Sequence, residues 1–365
     1  MNKIRIGYSE MTAVLVILIG MKAFIGYPRM ITEHGATAGW LLPIASGALA
    51  LGLWLIIARL LERFPGKPLT AITELLLGPG LGIAVNLIMF CYFLVTTGLL
   101  LRIFSELVIL SLLPETPLSA IAVFYLFGAW YALYYGVEAL ARSSYIALVY
   151  IGIGLVTSLA ALFPYYDFRM IFPVMGFGFG SFLKSSVFEI SSFGEVIALA
   201  YLVSYFSSSD RAKIKKIGVW SMGVVILLFT SMVTVYLMVL PYPTSTETFV
   251  PIYQLYRSIF LGHYVQRVEA VFVIFAAFTA IMRIAIGLFV TLQILKDTLK
   301  IPYYRPLLGL FSLLLFTIAF TPQNIVETVK LESLFSMYYG GAITFGLPLL
   351  LCAIAFLGGK GEKAK

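Results

Sequence analysis

Long apolar runs separated by short polar breaks organise this chain. A helix needs about 20 consecutive apolar residues to cross a bilayer. Windows of that kind recur near residues 11 to 31, 37 to 61, 80 to 112, 118 to 136, 143 to 163, 181 to 206, 217 to 240, 266 to 295, 304 to 320 and 333 to 358. The pattern predicts an all-α polytopic membrane protein of ten transmembrane helices, with residues 1–365 forming a single transmembrane domain. Two windows are interrupted. The first, Met11 to Ile31, contains Gly20, Lys22, Gly26 and Pro28. Glycine weakens a helix and proline removes a backbone donor, so a break is expected there. The sixth carries Lys184, Ser185, Ser186, Glu189, Ser191, Ser192, Gly194 and Glu195 in an otherwise apolar run, and a second break is expected. Exposed backbone at membrane depth is tolerated only against protein, water or ligand, which makes each break a candidate binding element. The first and sixth positions are where two five-helix halves of opposite topology would begin, 10–163 and 181–358.

Composition changes the picture only by fixing the solvent. Hydrophobic residues make up 61% and charged residues 12% of the 365, and the mean hydropathy is +1.00. A soluble core cannot use such a chain. Basic residues set the orientation. With ten spans and both termini cytoplasmic, 16 of the 25 Lys and Arg residues fall in cytoplasmic segments, among them Arg59, Arg63, Lys67, Arg142, Lys213, Lys215 and Lys216. The external loops hold chiefly Arg169, Arg257, Arg267 and Lys330. The net charge of +8 thus reflects topology, and no soluble domain exists to present it to nucleic acid. No cleavable leader is expected, because the first apolar segment carries Lys22 and Arg29. Cys91 and Cys352 both fall within predicted spans and read as packing residues. An enzyme is not expected: the sequence shows no nucleophile–base constellation, metal-ligand cluster or phosphate loop, and His34 and His263 are placed at the external interface. Neither a metal nor a cofactor is expected.

Charges at depth need partners. Arg102 and Glu106 lie four apart on the third span and share a helix face, which predicts a structural ion pair. Lys22 has Glu189 and Glu195 in the facing break as natural counter-ions. Two readings follow for it, a permanent ion pair locking the breaks together or a ligand-carboxylate contact with the glutamates as resting partners. Between the seventh and eighth spans, Pro241 to His263 is amphipathic, with Tyr253, Tyr256 and Phe260, and predicts either a short helix over the external mouth or a plain connector.

The segments Pro251-Ile252-Tyr253-Gln254-Leu255-Tyr256-Arg257-Ser258-Ile259 and Gln266-Arg267-Val268-Glu269-Ala270-Val271-Phe272 resemble the endospore germination permease family, the integral-membrane B subunits of nutrient germinant receptors. Gly194-Glu195 in the sixth span agrees with that family, which is similar to the amino acid, polyamine and organocation transporter superfamily. The resemblance implies the leucine-transporter fold with a 5+5 inverted repeat. It further implies a cavity lined by Gly20, Met21, Lys22, Ala23, Phe24 and Ile25 of the first break and by Phe188, Glu189, Ile190, Ser191, Ser192, Phe193, Gly194 and Glu195 of the sixth. Tyr92 or Thr96 and Thr279 are candidates from the third and eighth helices. Where the superfamily carries glycine, a small residue and glycine seven residues before a proline, this chain has Met21, Lys22 and Ala23 ahead of Pro28. Arg267 and Glu269 are expected to form a structural charge pair holding the covering stretch. The implied function is a subunit, in the cytoplasmic (spore inner) membrane, that binds a small nutrient such as an amino acid and signals germination with A and C type subunits. The alternative is a proton-coupled amino acid transporter using the same pocket.

Overall fold

A computed structural model describes residues 6–206, 213–247, 250–257 and 268–359. Among them the chain is almost wholly helical, with one isolated parallel bridge between Ile6 and Phe206. Helix α1 (Tyr8–Gly20) is the central post: Met11 and every residue from Ala13 to Gly20 are buried. A helix that is apolar all round has no surface face to offer, so its neighbours must enclose it. They are α7 (Val137–Leu162), α10 (Ile214–Val239) and α12 (Val268–Thr298). Its start is fastened by Glu10, whose Oε2 accepts from the Gly7 N–H at 3.0 Å.

The first break is where glycine and proline place it. Met21–Phe24 tightens into a 3-10 turn, and α2 (Tyr27–Gly35) restarts with Pro28 in its first turn, where proline's missing N–H costs nothing. The two halves are bent by 65°. The second break follows α8 (Phe179–Phe188): Glu189–Ile197 is a run of 3-10 turns, and α9 (Ala198–Tyr201) is a single turn. This stretch is wedged between α1, α3 (Leu42–Arg63) and the π-helical segment Ala342–Gly346. A Cβ on Gly194 would collide with Thr344, so only glycine fits that contact. Ile6 N–H donates to Tyr205 O at 3.2 Å, tying the start of α1 to the far side of the second break.

Six helices among the described residues are long and apolar enough to cross a membrane, and the bent pair makes a seventh. The expected count of ten spanning helices is not reproduced as ten full-length helices. Leu118–Tyr134 (α6) and Arg305–Ala319 are shorter apolar helices, and the sixth segment is split by its break into pieces. Three boundaries also differ from the sequence reading. Leu69–Leu77 forms an extra short helix, α4, ahead of α5 (Pro79–Ser111), with Gly78 at φ 82° making the corner. The fifth segment begins at Val137, since Gly136 alone, at φ 102°, turns the chain. The last span starts at Ile325, not near 333: α14 (Ile325–Leu334) runs through two π-helical stretches, Phe335–Gly340 and Ala342–Gly346, into α15 (Leu347–Leu357). Asn324 caps it, accepting from Glu327 N–H at 2.9 Å. Cys352 is buried as expected, but Cys91 is exposed on the outer face of α5.

Tyr253 and Tyr256 lie in α11 (Pro251–Arg257), so a short helix does follow the seventh segment; Ile252, Leu255 and Tyr256 are buried, and the Tyr256 hydroxyl donates to Ser158 Oγ at 2.7 Å. Arg267, the Glu269 side chain, Phe260 and His263 lie outside the described residues.

The Arg102–Glu106 pair forms as the spacing predicts, Nε to Oε1 at 2.9 Å. Arg102 reaches further, to Ala319 O at 3.4 Å and Gln323 O at 3.5 Å, with its guanidinium 5.3 Å from the Phe320 ring. It therefore closes the carbonyl end of α13 (Leu308–Ala319) as well as neutralising Glu106. Replacing it leaves a largely buried carboxylate unpaired and frees those carbonyls. Arg102→Met is expected to cost about 3 kcal/mol, read as a lowered melting temperature of the detergent-purified protein; an unchanged melting temperature would contradict the structural role.

Candidate functional site

The two breaks meet over a buried carboxylate. Glu195 Oε2 lies 3.4 Å from Lys22 Nζ, and Glu195 Oε1 accepts a short hydrogen bond from Arg283 Nη2. Lys22 Nζ also donates to Ser192 O at 3.4 Å, so the ammonium of the first break holds the backbone of the second. In the 3-10 turns of the second break, carbonyls are left without helical partners, and a lysine from the facing break satisfies one of them. Arg283 comes from the middle of α12 and is only 1% exposed. Among the described residues its Nη1 and Nε have no hydrogen-bond partner, nor do the neighbouring Tyr92 and Thr97 hydroxyls.

Glu189 does not pair with Lys22. Its Oε1 lies 3.0 Å from His34 Nδ1, and its Oε2 accepts from Ser192 Oγ at 3.0 Å. His34, at the end of α2, is half-buried, and its backbone oxygen accepts from Ser185 Oγ at 3.1 Å. Polar contacts thus link the outer half of α2 to the ion cluster: hydrogen bonds from His34 through Glu189 and Ser192 to Lys22, then ion pairs from Lys22 to Glu195 and from Glu195 to Arg283.

This cluster borders a cavity of about 370 Å³ whose walls come from the first break, α2, α5 and α14, including Lys22, Ile25, Arg29, Glu33, His34, Ser192, Lys330 and Glu332. A second, mainly apolar cavity of about 280 Å³ lies on the other side of the break, between it, α7, α11 and α12, and includes Met21, Phe24, Ser158, Tyr256 and Thr279. The 3-10 period explains the division. With three residues per turn, Met21 and Phe24 project one way, while Lys22 and Ile25 project another.

The residues expected at the site divide accordingly. Lys22, Ile25 and Ser192 line the larger cavity, and Met21, Phe24 and Thr279 the smaller. Glu189 and Glu195 are buried in the charge network behind the larger one. The others serve packing. Gly20 lies against Leu228 and Val225, and Ala23 is buried. Phe193 packs on Phe229 with ring centroids 5.5 Å apart. Phe188 is exposed beside Tyr338, Ile190 is half-buried, and Ser191 Oγ donates back to Phe188 O at 3.0 Å. Thr96 Oγ1 is consumed by Tyr92 O at 2.8 Å, leaving Tyr92 as the α5 side chain near the network. Arg283 and Glu332 escaped the sequence reading, Lys330 was assigned to an external loop, and His34 was assigned only to an interface. Arg283 had a signal, a lone arginine in Ile281-Met282-Arg283-Ile284, the same intramembrane charge that marked Lys22. Glu332 had one too, since Asn324-x-x-Glu327 is a helix start that places it inside the last span.

The apolar helices and the two broken segments define an integral membrane protein with a leucine-transporter-like fold. Its overall likeness is to solved transporters such as Mhp1, a nucleobase-cation-symport-1 family member in a closed conformation with bromovinylhydantoin bound: TM-score 0.71 at 13% identity, covering 98% of this chain and 79% of that one. The family model described as spore germination protein matches residues 6–328, and the chain belongs to that family. Relatives from Bacillus subtilis (strain 168) include spore germination protein B2, 25% identical over 51% of this chain and 50% of its own length, and spore germination protein KB, 22% identical over 80% and 78%. Spore germination protein YndE is 27% identical over 38% of both chains. The chain thus spans about half the length of B2 and less of YndE.

The two cations on Glu195 are not equivalent. Arg283 is the more buried and the closer, while Lys22 borders a cavity that water can share. Arg283→Met is expected to cost about 3–5 kcal/mol, the range for orphaning a buried charge, and Lys22→Met only about 1 kcal/mol. Denaturation of the purified variants checks the order; equal losses, or Lys22→Met the worse, would contradict the geometry.

Proposed function

We propose that this protein is the membrane subunit of a spore nutrient germinant receptor, holding a small nutrient, an amino acid, in the cavity beside the two breaks and signalling occupancy to A and C type partner subunits. It would sit in the spore inner membrane with both termini cytoplasmic. The two breaks would open the halves 10–163 and 181–358 of an inverted repeat. The observation that carries this reading is the Lys22–Glu195–Arg283 cluster at the meeting of the breaks, bordering a cavity of about 370 Å³. That volume suits a single small metabolite. Its charged wall groups suit a zwitterion, which brings one charge of each sign. Ion pairs spanning both breaks also give the ligand a lever: a ligand carboxylate drawing on Lys22 weakens its hold on Ser192 and Glu195 and biases the arrangement of the breaks. Membership of the spore germination protein family supports a sensing output.

One observation favours transport as a second reading. Hydrogen bonds join His34 to Glu189, Glu189 to the Ser192 hydroxyl and the Ser192 carbonyl to Lys22, whose ammonium pairs with Glu195; strings of titratable groups at depth mark proton relays in carriers.

A thermal-shift screen against the twenty amino acids tests binding. At 100 times its Kd a ligand of the folded state contributes about 2.7 kcal/mol, so at least one amino acid is expected to raise the melting temperature in a dose-dependent way. Proteoliposomes then separate the two readings. Sensing predicts no saturable proton-driven uptake of that amino acid, whereas rapid uptake without partner subunits establishes the transporter, and no stabilisation by any amino acid contradicts both.

A further inference from the structure

We infer that Glu332 is the residue that reads the positively charged end of the ligand, so that the cavity takes a compound bearing a primary ammonium; this rests on the binding reading above. The inference comes from accounting for every carboxylate around the cavity. Glu33 is held by Arg29, Nε to Oε1 at 2.8 Å. Glu189 is held by His34 and Ser192, and Glu195 by Lys22 and Arg283. Glu332 lines the same cavity and has no ion pair or hydrogen bond among the described residues. It is half-buried on α14 and lies within electrostatic reach of Lys22, Glu195, Arg283 and Glu189. Lys22 and Arg283, the cations within electrostatic reach of it, are already engaged by Glu195, which leaves this half-buried carboxylate without a contact partner among the described residues, a costly state for a charge at depth. An ammonium arriving from the cavity supplies the missing partner. A ligand whose carboxylate meets Lys22 on the first break then has its ammonium facing the last span, and its two charges connect elements that otherwise share only the cavity wall.

The π-helical turns that follow Glu332 give this contact a consequence. Phe335–Gly340 and Ala342–Gly346 are wider than α-helix and lie against the second break. Such turns recur at functional sites because they let one part of a helix shift in register without melting the rest. A charge captured at Glu332 therefore acts on the same helix whose Thr344 closes over Gly194.

The test uses the purified full chain and Glu332→Gln, with the amino acid that most stabilises the wild type, its des-amino acid and its descarboxylated amine as probes. The wild type is expected to bind the amine measurably and the des-amino acid least. Glu332→Gln is expected to lower the apparent affinity for the amino acid and the amine by at least about tenfold, to leave the des-amino acid unchanged, and to melt no lower than wild type without ligand, because it neutralises an uncompensated charge. Glu332→Asp keeps the charge and is expected to restore most of the preference; it also serves as the readout should the glutamine variant fail to fold. Unaltered amino acid affinity in Glu332→Gln, or stabilisation by sodium alone with no response to amines, overturns the assignment while leaving the binding reading intact. A wild type that responds to no amino acid overturns the binding reading itself, and this inference with it.

Discussion

The arrangement depends on one buried carboxylate. Moving a carboxylate out of water costs several kcal/mol after relaxation, and Coulombic attraction offsets that only when the partners are close and well placed. Glu195 meets the condition by drawing on two cations from two different elements, Lys22 from the first break and Arg283 from α12. Those elements come from opposite halves of the chain, so the requirement for charge compensation specifies which segments must meet. The breaks themselves would otherwise be liabilities, since 3-10 turns leave backbone groups without partners in a medium that offers none. Lys22 reduces that cost by donating to Ser192 O while it pairs with Glu195.

The same interaction accounts for the two cavities. Because the first break is a 3-10 turn, its side chains alternate in threes, and fixing Lys22 toward Glu195 also fixes Met21 and Phe24 toward the opposite, apolar cavity. Any motion of the break that loosens Lys22 must therefore repack Met21 and Phe24 against α7. Helix α7 packs on α1 as well as lining that cavity, so such repacking reaches the central post.

Much of this was legible in the sequence, for identifiable reasons. Gly20, Gly26 and Pro28 announced the first break, and the hydroxyls and carboxylates between Lys184 and Glu195 announced the second, because apolar spans rarely tolerate such residues without a use for them. Arg102 and Glu106 were readable as a pair because helical spacing places them together. Lys22 and Glu195 were readable as partners because each needed one. Arg283 was not, since nothing in the spacing of a long helix says which distant segment it meets. Glu332 was hidden differently: Lys330 and Glu332 depress the local hydropathy, so the last span was read from 333, although the Asn324 cap marks its start at Ile325. Between Tyr92 and Thr96 the sequence left the choice open, and the Thr96 hydroxyl donates to its own helix, a choice between backbone and cavity that sequence does not reveal.

The central claim is that Glu195 and Arg283 are energetically coupled across the junction of the second break and α12. A double-mutant cycle with Glu195→Gln and Arg283→Met measures it directly, each stability taken from denaturant unfolding of the purified protein. The account predicts a coupling of about 1–3 kcal/mol, with the double variant more stable than Arg283→Met alone because the orphaned carboxylate has been removed. Strictly additive losses would show that the two side chains are merely adjacent, and would contradict the account.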